Sequence, residues 1–196
     1  NVLFVSIFSF SFGTSLLVAD EVSAIREMTK EKVDHVISTL KENNLTKEEK
    51  KEGILQTIDG LFDFSLMARL SLGKKYWKKL SIEGRKEFTE LFVERLKQSY
   101  LDKLDIYTDV EVVVKKKKKK KKKRVEVLTY LVSKDDKMEM TYKLYKTKKN
   151  TWMVYDVDVL GVSIVQTYRS QFSGVLKNES LEKLIERLRS PDELES

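Results

Sequence analysis

Cysteine is absent from the 196-residue chain, and histidine and proline occur once each. Without cysteine there is no disulfide framework, no thiolate nucleophile and no Cys/His metal spacing, while the redox compartment stays open. The one histidine, His35, lies between Asp34 and Val36 in a stretch of helical period. A lone imidazole there is far more often an ordinary surface residue than a catalyst. No glycine-rich phosphate loop follows a strand pattern. Gly161-Val162-Ser163 is not a nucleophile elbow, because Val165 stands where the second glycine belongs. Catalytic chemistry is left with Asp156 and Asp158, which share a strand face about 7 Å apart. Such a pair could hold a cation or serve as acid and base; Arg, Lys or solvent partners are the plainer assignment. The chain is therefore read as a non-enzyme with no metal site.

Charge is equally uneven. The net charge is +7, yet ten of the 38 basic residues are Lys115–Lys123 and Arg124. The other 28, set against 31 acidic residues, leave the body at −3. A general nucleic-acid footprint is not supported, and no nucleic-acid partner is expected. The lysine run falls where a hairpin tip belongs, and its ammonium groups repel one another into solvent. Attraction to anionic headgroups, worth roughly 1 kcal/mol per lysine near such a surface, is one reading of it. A plain solvated turn and a sequence artefact are the others.

Val2 to Val18 carries no charge and is apolar, with serine, glycine and threonine interruptions; Ala19 then precedes Asp20. This pattern fits a signal-peptide core with a small residue at the cleavage point, lacking its basic n-region. A membrane anchor competes, but about 18 apolar residues are marginal for spanning. Residues 1–19 are thus expected to be a truncated signal peptide, 20–190 one domain and 191–196 a C-terminal tail.

Apolar residues at 22, 25, 28, 33, 36, 37 and 40 predict a helix over 22–40. Thr46 and Glu49 make a capping box for a second, with Ile54, Leu55, Ile58, Leu61 and Phe62 on its inner face and Gly60 weakening it. Asp63 and Gly73 bracket a third. Ser81 opens the longest, on which Phe88, Leu91, Phe92, Leu96, Tyr100 and Leu104 recur. The period then becomes two. Alternation over 106–114, 125–131, 138–144 and 152–159, with turns at 134–137 and 147–150, predicts four antiparallel strands in a meander. On the last strand Met153, Tyr155, Val157 and Val159 are expected on one face. Helices from Ser163 to Leu176 and from Ser180 to near Arg189, before Pro191, close the chain. Helices, then sheet, then helices is an α+β order. Met138, Met140, Tyr142, Met153 and Tyr155 are large, adaptable strand residues. They suit an ordinary helix-on-sheet core or an apolar cavity between sheet and helices.

Three blocks carry a family resemblance: FDFSLMARLSLGKKYWKKLS at 62–81, EFTELFVERLKQSYLDKL at 87–104, and VYDVDVLGVSIVQTYRSQFSGVL at 154–176. In this order they resemble the MlaC-type phospholipid-binding proteins, over nearly all of 25–190. The signature positions are Tyr155, Asp156, Val157, Gly161, Val162, Ser163, Tyr168, Arg169 and Phe172. Leu160 departs from the commoner acidic residue, and the lysine run matches no family feature. The resemblance implies a periplasmic, exported α+β carrier, a monomer that holds phospholipid by its acyl chains and needs no other cofactor. Its implied partners are an outer-membrane lipoprotein–porin complex (MlaA-like) and the MlaD-like substrate-binding subunit of an inner-membrane ABC transporter. Tail contacts are then expected from Met140, Tyr142, Met153, Tyr155 and Val157 on the sheet and from Phe92, Leu96, Tyr168 and Phe172 on facing helices. Phe64, Met67, Leu72 and Trp77 are expected to pack, Ser163 to cap, and Arg169 to pair with an acid such as Asp156. About thirty methylenes at about 0.8 kcal/mol each make the tails too costly to carry through water uncovered. An interaction domain with a filled core is the rival reading.

Overall fold

The computed structural model describes residues 14–100, 109–113, 124–134 and 137–190. The lysine run, the cleavage-side residues 1–13, Leu104 and the tail lie outside the described residues.

Helix α1 (Thr14–Lys41) is longer than its apolar stripe predicts and passes through Ala19-Asp20 without a break. Ile25, Val33, Ile37 and Leu40 are its buried face. Helix α2 (Lys47–Ile58) starts at the expected capping box: the Thr46 amide donates to Glu49 Oε2 at 2.7 Å and the Glu49 amide to Thr46 Oγ1 at 3.3 Å. It ends earlier than its pattern suggests. Gly60, at φ +75°, turns the chain, and Leu61 and Phe62 leave the helix for the sheet. There the Val154 amide donates to Leu61 O at 2.8 Å and the Asp63 amide to Val154 O at 2.9 Å.

Asp63 caps α3 (Phe64–Leu72), accepting from the Leu66 amide at 2.9 Å. A short α4 (Lys74–Trp77) was not legible in the sequence, since four residues show no period. In α5 (Ile82–Tyr100) Ser81 Oγ accepts from the Gly84 amide at 3.0 Å. Arg95 is buried on this helix and donates to the carbonyls of Arg187 at 3.1 Å and Ser190 at 2.6 Å. It thereby satisfies the C-terminal end of α7 (Leu181–Arg189).

One antiparallel sheet runs in chain order: β1 (Asp109–Val113), β2 (Arg124–Val132), β3 (Lys137–Lys146), β4 (Trp152–Val159) and β5 (Val162–Ser163). The expected four-stranded meander is present, with a two-residue fifth strand added by a tight turn at Leu160-Gly161. Ser163 then caps α6 (Ile164–Asn178), its Oγ accepting from the Gln166 amide at 3.1 Å.

Helices α3, α5, α6 and α7 pack with the sheet into the main core. An aromatic ladder runs through it: Trp77 to Phe88 at 6.3 Å, Phe88 to Phe172 at 5.7 Å, Phe172 to Tyr168 at 5.6 Å and Tyr168 to Phe92 at 5.2 Å between ring centroids. The α1–α2 hairpin builds a second, smaller cluster from Val33, Ile37, Leu40 and Ile54, together with Leu131 of the sheet.

Candidate functional site

Between the two clusters lies a partly open cavity of about 350 Å³, within the range of about 300–1,000 Å³ usual for ligand pockets. Its floor is the inner sheet face. Met138, Met140 and Tyr142 of β3 alternate along it, flanked by Leu131 of β2 and by Val154, Val157 and Val159 of β4. One wall is the α1 stripe from Val33 to Leu40; α2 adds Ile54, Leu55 and Ile58. Opposite stand Val93, Leu96 and Tyr100 of α5. Phe62, Phe64 and Met67 line it near the start of α3. The Phe62 ring stacks on Phe64 at 5.5 Å and meets Tyr142 edge-on at 6.4 Å. Burial pushes the Tyr142 phenol above its usual pKa, against an opposing hydrogen bond with Thr129. Burial, with Tyr168 nearby, does the same to Tyr100. Both phenols therefore stay uncharged at neutral pH.

A β-bulge decides which β4 residues reach this space. Tyr142 pairs with Val157 and Lys143 with Asp156, but Leu144 pairs with Val154, so Tyr155 is an extra residue on β4. The alternation changes phase at that point. Val154 joins Val157 on the inner face, and both are buried. The expectation that Met153 and Tyr155 share the Val157 face is corrected: Met153 pairs with Tyr145, and the Tyr155 ring lies 6.0 Å from Tyr145, under the Arg124 guanidinium. Neither lines the cavity. Of the other expected contacts, Leu96, Met140, Tyr142 and Val157 line it, whereas Phe92, Tyr168 and Phe172 belong to the aromatic ladder of the main core.

The aspartate pair has the plainer of its two assignments. Lys143 Nζ donates to Asp156 Oδ2 at 2.9 Å and to Asp158 Oδ1 at 2.5 Å. Burial alone would lower the Lys143 pKa, but the hydrogen bonds to Asp158 and Asp156 outweigh it and the net shift is upward. Asp156, 5% exposed, also accepts from Ser163 Oγ at 2.7 Å and from the Val165 amide at 3.2 Å. Both oxygens thus tie the end of β4 to the start of α6. Arg169 is not its partner, contrary to expectation. Its guanidinium donates to Leu70 O at 2.9 Å, at the C-terminal end of α3, where a cation complements the helix dipole. It lies so close to Gly73 that a Cβ there would stand 3.3 Å from Arg169 Nη1.

That α1 and α2 supply cavity residues rather than plain core was missed in the sequence reading. The available signal was the breadth of the α1 stripe, where 33, 36, 37 and 40 exceed what one small cluster needs.

Fold and cavity together define an α+β protein built around an apolar space of ligand size. The chain belongs to the MlaC family, whose model, described as MlaC protein, matches residues 30–190. A solved structure of a phospholipid-binding protein from Ralstonia solanacearum, in complex with a phospholipid, shares the fold with a TM-score of 0.73. It is 21% identical, over 87% of this chain and 98% of that one. No curated protein matches the chain.

Proposed function

We propose that the protein is a periplasmic phospholipid carrier that encloses acyl chains in the cavity between α1, α2, α5 and the inner sheet face. The observation that carries this reading is an almost wholly apolar, ligand-sized space in an MlaC-family fold. Apolar walls recognise methylenes by burial, at about 0.8 kcal/mol each, and ask nothing of a reactive group. The phospholipid bound by the Ralstonia protein supports the same ligand class.

In this reading residues 1–19 direct export and are removed, and the carrier works as a monomer. It passes lipid between an outer-membrane MlaA-like complex and an MlaD-like subunit of an inner-membrane ABC transporter. Transfer needs no covalent step; docking offers the tails a competing apolar path. Among the described residues no helix is long and apolar enough to cross a membrane. Leu96, Met140, Tyr142 and Val157 remain the proposed tail contacts from the sequence, joined by the α1 and α2 faces and by Phe62 and Phe64. Labelled phospholipid in vesicles tests the reading: the purified protein is expected to extract it into the soluble fraction, and no extraction would overturn it. A filled-core interaction domain is disfavoured by the cavity itself.

A further inference from the structure

Among the described residues, the cavity lining carries charge of one sign. Its ionised residues are Lys32 of α1 and Lys97 of α5, and no described carboxylate reaches it. Both are half-buried. Such side chains lay their stems along apolar surface and hold their ammonium groups toward water, so they mark the solvent margin of the cavity.

Lys97 is only 20% exposed, and its neighbouring carboxylates stand at 3.4 Å (Glu94) and 3.8 Å (Glu52). Formed N–H···O bonds measure about 2.7–3.2 Å. Those glutamates are themselves 54% and 61% exposed, so water screens their attraction. An ammonium with three donors, carried on a largely covered stem at the margin of an apolar space, gains most from an anion that arrives with its own apolar body.

We propose that Lys32 and Lys97 form an anion-recognition pair for the charged head of an apolar-tailed ligand. The inference rests on the carrier reading and adds a polarity to it. The head sits at the α1–α5 margin, and the tails run toward the deep end where Met67 is 1% exposed. A phospholipid phosphate and a fatty-acid carboxylate share the required chemistry.

The test exchanges the purified protein against single amphiphiles in detergent micelles and reads occupancy by native mass spectrometry. The three probes are dioleoylphosphatidylglycerol, oleate and dioleoylglycerol, the last with two such tails and no anion. Phosphatidylglycerol is expected to load at least about tenfold better than dioleoylglycerol, as a charge-assisted contact requires, with the preference narrowing as salt rises. Loading of oleate beside it would identify any anionic head as sufficient; its exclusion would identify the phosphate. The K32Q/K97Q variant is expected to lose the preference and K32R/K97R to keep it, with an unchanged circular dichroism spectrum in both as the check on folding. Equal loading of phosphatidylglycerol and dioleoylglycerol by the unaltered protein would overturn the proposal and leave the carrier reading standing. Loading of none of the three would overturn both.

Discussion

Asp156 is the residue on which the end of β4 depends. It is buried, and its two oxygens serve an ammonium, a hydroxyl and a backbone amide at once. Removing it leaves the Lys143 charge and the first turn of α6 without that partner. Breaking a buried pair in this way costs about 3–5 kcal/mol, so Asp156→Ala is expected to lower the urea midpoint severely. Asp158→Ala, at a more exposed carboxylate, is expected to cost about 1 kcal/mol or less. Equal effects in the two variants would show that Asp156 is not the organising group. Tyr145 gives a pH signature. Its hydroxyl donates to Asp63 Oδ2 at 2.5 Å, and burial followed by that carboxylate pushes the phenol up to about 12. The unfolded phenol titrates at about 10. The folded state holds this proton more tightly, so the stabilisation is complete below about pH 10 and is lost as pH rises through about 12. The upward shift at Lys143 acts in the same direction. Urea midpoints are expected to fall across this alkaline window, and Tyr145→Phe to flatten part of the fall; an unchanged slope would contradict the assignment.

Each turn and bulge re-aims a whole element. Leu160-Gly161 joins β4 to β5 with φ of +51° and +82°, the signs of a type I′ hairpin turn, for which Asn-Gly is the favoured pair. Leucine in the left-handed region costs about 1–2 kcal/mol, and Leu160 is 66% exposed, so burial returns little. Leu160→Asn is therefore expected to stabilise the protein by about 1 kcal/mol, a rise of about 2–4 °C in Tm at this chain length. An unchanged or lower Tm would show that Leu160 contributes packing that its exposure hides.

The helices with chemical punctuation, Thr46 with Glu49, Asp63 with Gly73, and Ser163, were legible in the sequence because capping acts between residues three or four apart. The β2 and β3 faces were legible for a similar reason, an unbroken period of two. The β4 face was not. The bulge at Tyr155 is a property of pairing with β3, and a single strand read alone shows regular alternation through it. That shift alone moves Met153 and Tyr155 off the cavity and brings Val154 in. The Arg169 contact at Leu70 joins elements 99 residues apart, beyond any local pattern.

At the scale of the molecule, two apolar clusters with a gap between them replace one continuous core. Composition and periodicity are satisfied equally by a filled core and by this arrangement, which is why the sequence alone left both open. Filling the gap separates its role from that of the cores around it. Val36 is half-buried on the α1 wall, so Val36→Trp is expected to place an indole in the cavity, leave the fold intact by circular dichroism and remove most ligand loading. Phe172→Ala, in the main core, is expected to cost about 3–5 kcal/mol of stability instead. The most direct test of the central claim is the lipid content of the protein as isolated. Mass spectrometry of gently purified material is expected to find phospholipid at near one molecule per chain, removed by Val36→Trp. Absence of bound phospholipid, together with no uptake from labelled vesicles, would contradict the account.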